Sequence, residues 1–125
     1  MAQTKGIFNS VLNAFSFGAN VSKSENVNYQ AEEDGFFVGR VLGNSGVNAL
    51  VRWDVYTDAT VTPTTLVTSC FGTGHANAQY WNSAATGFMI PVKKGNYYRV
   101  TRTDVAGTQG YAITLTWIPF SKTNI

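Results

Sequence analysis

The chain has 125 residues, a formal net charge of +2, 44% hydrophobic and 14% aromatic residues, and only 13% charged residues. That is the length of one domain, with enough apolar mass to bury a core unaided. The small net charge excludes the basic stripe of a nucleic-acid binder, the single cysteine excludes an intrachain disulfide, and no apolar run reaches the ~20 residues of a membrane-crossing helix. Threonine, asparagine, serine and glycine supply most of the polarity, a palette that suits strands and turns.

The first segment has its own pattern. Ile7, Phe8, Val11, Leu12 and Phe15 fall at i, i+1, i+4, i+5 and i+8, the spacing of one apolar stripe on a helix. Gly18 is a stop signal. A helix this short, with asparagine and serine inside it, is marginal alone and needs a partner: its own domain, a sister subunit or a larger protein. The stretch is a poor signal peptide, because Asn9, Ser10 and Asn13 interrupt its apolar run, and it reads as mature sequence. Asn20 to Asn28 reads as a polar linker. Residues 1–26 are therefore assigned as an anchoring or oligomerisation arm with its linker, and residues 27–125 as a β domain.

From Val27 the pattern is β. Phe36 to Gly43, "FFVGRVLG", is a strong strand, punctuated by "GNSG". In "VNALVRWDVYT" the residues Val47, Ala49, Val51, Trp53 and Val55 point one way, and Asn48, Arg52, Asp54 and Tyr56 the other, towards a mostly wet face. "ATVTPTTLVTSCF" holds one or two strands, with Pro63 marking an edge or a break. Further strands centre on Phe88 and Ile90, on "NYYRVTRT", and on the alternating Tyr111, Ile113, Leu115 and Trp117. About seven or eight short strands with frequent turn signals, and no βαβ rhythm, argue for an antiparallel sandwich or barrel.

Chemistry is sparse. Cys70 and His75 are the only residues of their kinds, and a Cys–His nucleophilic pair is outweighed by a small buried thiol near a loop histidine. They fall short of a zinc set. Gly72 and Gly74 in "GTGHAN" lack the third glycine and following helix of a phosphate loop. Glu32, Glu33 and Asp34 form the only acidic run and sit where a solvated turn is expected. No G-x-S-x-G elbow occurs. The reading is a non-enzyme with no metal and no cofactor. Binding has a better claim: His75, Asn77, Gln79, Tyr80 and Trp81 lie in one loop-to-strand stretch, where an aromatic ring and amides suit a glycan.

"IPVKKGNYYRVTRTD", Ile90 to Asp104, looks at first like an anion patch. Alternation divides its arginines between two faces, however, and Gly95-Asn96 supplies turn chemistry, so it reads as a hairpin with solubilising lysines.

Three motifs carry a resemblance. "NYQAEEDGFFVGRV" with Tyr29, Ala31, Asp34, Gly35, Phe36 and Val38, then "PVKKG" from Pro91 to Gly95, then "ITLTWIPF" with Ile118, Pro119 and Lys122 beyond it, resemble in that order the C1q/TNF-like β-sandwich modules of bacteriophage tail-fibre tips and related virion surface proteins. Gln30 and Glu32 replace the threonine and proline usual there, and Asn96 the usual aspartate. The resemblance covers about Val27 to Lys122 and implies a jelly-roll sandwich, trimeric, on a virion assembled in the host cytoplasm. It transfers no ligand site. Such modules commonly follow a long shaft, whereas here a short apolar segment precedes the sandwich, which also suits a capsid decoration (cement) protein or a small adaptor. The expected partners are a homo-oligomer, a larger virion protein held through Ile7, Phe8, Val11, Leu12 and Phe15, and a host-surface glycan. Ile118 and Phe120 make the second face of the last strand apolar and mark an oligomer interface.

Overall fold

A computed structural model describes residues 16–42, 49–74, 84–106 and 112–121. Its regular elements are all strands: β1 (Ser16–Phe17), β2 (Val21–Lys23), β3 (Tyr29–Gln30), β4 (Gly35–Leu42), β5 (Ala49–Asp58), β6 (Leu66–Gly74), β7 (Ala84–Ala85), β8 (Gly87–Val92), β9 (Tyr97–Ala106) and β10 (Ala112–Ser121). Every pairing is antiparallel. The first sheet runs β1-β10-β4-β8, with β2 also on β10, and the second runs β3-β9-β5-β6-β7.

The pairs nest. β2 joins β10, β3 joins β9, β4 joins β8, and β5 joins β6. A long antiparallel hairpin wrapped around a core produces this order, so the sandwich is a jelly roll. β1 and β2 follow one another along a single edge of β10. β7 and β8, separated only by Thr86, carry one stretch of chain from the second sheet to the first. Thr86 secures the crossing: its N–H donates to Phe71 O at 3.1 Å, and its carbonyl accepts from Val41 N–H at 3.1 Å.

Alternation decides what faces inward. Phe37 and Val41 of β4, Val51, Trp53 and Val55 of β5, Phe88, Ile90 and Val92 of β8, Tyr98 and Val100 of β9, and Leu115 and Trp117 of β10 form one core. An aromatic ladder ties the two sheets together. Tyr98 stacks on Trp117 at 4.8 Å and meets Phe37 at 4.6 Å, and Phe37 meets Phe88 edge-on at 5.3 Å. Pairs of this kind add ~0.5–1.5 kcal/mol each beyond burial. Gly39 leaves the space that the Phe88 ring occupies.

Several local expectations change. The stretch read as a polar linker contains strand β2, and its following turn is docked: Asn26, with φ +62°, donates its N–H to Val100 O at 2.6 Å. Glu25 Oε2 accepts the indole N–H of fully buried Trp53 at 2.7 Å. Polar residues pair here because a core-facing indole needs an acceptor. Pro63 is a break, buried in the bend that precedes β6. On the face of β5 expected to be wet, Asp54 is only 8% exposed; it accepts Ser69 Oγ–H at 2.6 Å and pairs with Arg52 Nε at 3.3 Å.

Candidate functional site

The three motifs meet at one corner of the sandwich. Asp34 Oδ1 accepts the Lys94 N–H at 2.7 Å, and the Asp34 carbonyl accepts the Phe120 N–H at 2.8 Å. Ala31 donates its N–H to Asn96 O and accepts from Gly95 N–H, both at 2.8 Å. The turn itself closes from Asn96 N–H to Lys93 O at 3.0 Å, with Gly95 at φ +90°. A type II turn needs glycine at that position, which explains "KKGN". Asp34 and the turn therefore lock β4, β8 and the end of β10 together. The acidic run is exposed, and its third member is a structural acceptor. An open cleft of about 390 Å³ lies at this corner, bordered by Thr57, Pro91, Lys93, Asn96 and Phe120.

The arginines of the β8–β9 hairpin are occupied apart from one another. Arg99 lies over the Tyr56 ring at 5.3 Å, while Arg102 lies over Trp53 at 5.5 Å and binds Asp104 at 2.9 Å. Lys93 and Lys94 are exposed at the turn. No convergent anion site forms from these four residues.

Cys70 is 1% exposed, and burial pushes its thiol up to about 11, with the nearby Asp54 carboxylate adding to the shift. A thiol held protonated is a poor nucleophile. Among the described residues no group of three His, Cys, Asp or Glu could hold a metal ion, and no helix is long and apolar enough to cross a membrane.

The feature that stands out is the outer face of the first sheet. Register places Pro91, Phe36 and Ile118 in one row and Met89, Val38 and Thr116 in the next. Phe120 and Phe17 make a third row beside the first: the Phe120 ring meets Phe36 edge-on at 5.0 Å and stacks on Phe17 of β1 at 5.2 Å. Met89 and Phe17 are each 65% exposed, and Phe36, Val38, Ile118 and Phe120 are half-buried. Arg40 and Thr114 bound the patch at its far side. A contiguous apolar face of this kind, rimmed by polar side chains, is a candidate interaction surface.

Of the candidate residues, Ile118 and Phe120 belong to this face. The glycan candidates His75, Asn77, Gln79, Tyr80 and Trp81, and the arm residues Ile7, Phe8, Val11, Leu12 and Phe15, lie outside the described residues. Sequence reasoning missed Phe17, Phe36, Val38, Met89 and Pro91. Their signal was present: "FFV" and "GFMIPV" are apolar on both strand faces, so one sheet face had to remain apolar outside. Comparison with protein-family models, with curated proteins and with solved structures finds no match to this chain.

Proposed function

We propose that the chain is a non-enzymatic bacteriophage virion surface protein, a fibre-tip or appendage-like jelly-roll module displayed as an oligomer, trimeric by its resemblance, that contacts the host surface. The observation that carries this reading is the apolar outer face formed by Phe17, Phe36, Val38, Met89, Pro91, Ile118 and Phe120. A chain with only 13% charged residues keeps such a face from water by assembling. The ordered three-motif resemblance supplies the virion, and residues 75–81 supply the class of ligand, a host-surface glycan. Burial, which pushes the Cys70 thiol up, weighs against the one nucleophile the sequence offered.

The test is location and binding. Antibody raised against the chain should label intact purified particles and reduce their adsorption to cells, and the isolated protein should bind glycans on an array. Absence from purified particles overturns the reading. Labelling of the capsid with a silent array would replace attachment by capsid decoration.

A further inference from the structure

We propose that the cleft between the two sheets, at their β2 and β3 edges, binds a neutral hexopyranose, held at the floor by the Tyr98 hydroxyl and the Trp117 indole N–H. This deepens the attachment reading above: it rests on that reading for a host glycan as the source, and gives the glycan a site within the described residues.

The cleft has a volume of about 450 Å³, inside the roughly 300–1,000 Å³ usual for small-ligand sites. One wall comes from the first sheet, with Val21 and Lys23 of β2 and Pro119 of β10. The other comes from β3 and the turn after it, with Gln30, Glu32 and Glu33. Tyr98 of β9 and Trp117 of β10, whose rings stack at 4.8 Å, form the floor.

The floor carries the argument. Tyr98 is 1% exposed and Trp117 6%. Among the described residues neither the Tyr98 hydroxyl nor the Trp117 indole N–H has a hydrogen-bond partner, whereas the buried indole of Trp53 donates to Glu25. Nor are these two groups sealed in: the side-chain atoms both enclosed and unpartnered among the described residues are Arg52 Nε and Arg99 Nε. The polar tips of two otherwise buried rings therefore open on the cleft. Burial, and then Tyr29 and Glu32, push the Tyr98 hydroxyl upward, which sets that hydroxyl at the Glu32 side of the cleft. Phenylalanine would fill the same core position without leaving a hydroxyl unpaired.

The walls supply matching chemistry. Sugar hydroxyls donate and accept, and the walls offer both. The exposed Glu32 and Glu33 carboxylates accept, and the Lys23 ammonium, 4.4 Å over the Tyr29 ring, donates. Gln30 commits its Nε2 to Gly95 O at 3.3 Å, which leaves its amide oxygen as an acceptor. Val21 and Pro119 give apolar contact to the C–H face of a pyranose. Two carboxylates against one ammonium make the rim negative, which selects against acidic sugars.

The test follows the indole N–H resonances of the ¹⁵N-labelled full chain. The probes are methyl glucoside, methyl galactoside and methyl mannoside to ~50 mM, enough to populate a millimolar site. The chain has three tryptophans, so each indole reports a separate place. At least one probe should shift Trp117 saturably, while Trp53, bonded to Glu25, stays. Tyr98→Phe should weaken binding roughly two- to tenfold, the loss of one hydrogen bond. It should cost no thermal stability, because the hydroxyl it removes has no partner in the described fold. Methyl glucuronide should bind more weakly than methyl glucoside. A shift confined to Trp81 overturns the cleft and leaves glycan attachment standing. Tyr98→Phe with wild-type affinity, or glucuronide bound as tightly as glucoside, also overturns it. No shift of any indole with any probe overturns the cleft, and the glycan array then decides the attachment reading separately.

Discussion

Replacing Gly39 by alanine places a methyl group where the Phe88 ring already lies, 2.6 Å from its Cδ1 and 2.7 Å from its Cζ. Phe88 cannot swing into solvent cheaply, because it is 8% exposed and its ring is held edge-on by Phe37 at 5.3 Å. The ring must shift within a packed core, and overpacking by one methyl costs ~1–3 kcal/mol. For a domain of this size that lowers the melting temperature by roughly 4–11 °C. Thermal denaturation of Gly39→Ala, Phe88→Leu and the double variant forms a cycle. Phe88→Leu alone loses core contacts, but it also makes room, so the double variant should be more stable than the sum of the single losses by ~1 kcal/mol. Gly39→Ala with wild-type stability, or strict additivity, would refute the claim that Gly39 exists to seat Phe88.

Glu25→Ala leaves the buried Trp53 indole N–H without its acceptor and should cost ~1–2 kcal/mol in urea unfolding; Glu25→Gln, which keeps an acceptor, should cost less. The Asp58 carboxyl is held well below the usual carboxylate range, first by the Thr60 hydroxyl and then by the amides of Thr60, Thr64 and Thr65. Its contribution is therefore complete above the ordinary carboxylate pKa near 3.8 and is lost as pH falls below it. The stability gap between wild type and Asp58→Ala should narrow between about pH 5 and about pH 2. Cys70 titrates in the opposite sense. Its thiol is pushed up to about 11 from an ordinary value near 9, so its contribution is complete below 9 and declines as pH rises towards 11. Native protein should resist a thiol reagent at about pH 8 and react fully only in denaturant.

Much of the fold was legible because the signals were local. Val51, Trp53 and Val55 alternate with polar neighbours, and Leu115 and Trp117 do the same, so their inward direction followed from period two alone. "KKGN" identified its own turn. What sequence could not supply was register. Nothing local says that Asp34 meets the Lys94 amide 60 residues away. Likewise, Met89 sits beside Val38 only through the β4–β8 ladder. The outer face was half visible, since Ile118 and Phe120 were singled out from β10 alone, but its extent depends on three further strands. Val21–Lys23 was misread because a short edge strand beside polar turn residues has no hydrophobic period. It is held by pairing with Leu115–Trp117.

The most direct test is sedimentation velocity of the full chain beside Met89→Glu, a substitution at a side chain 65% exposed and outside the core. The outer-face account predicts that the wild type sediments as an oligomer, a trimer by its resemblance, while Met89→Glu, with an unchanged far-UV spectrum, sediments as a monomer because an unpaired carboxylate buried in an apolar interface is intolerable. A wild-type monomer at tens of micromolar, or a Met89→Glu protein with the same mass as wild type, would contradict it.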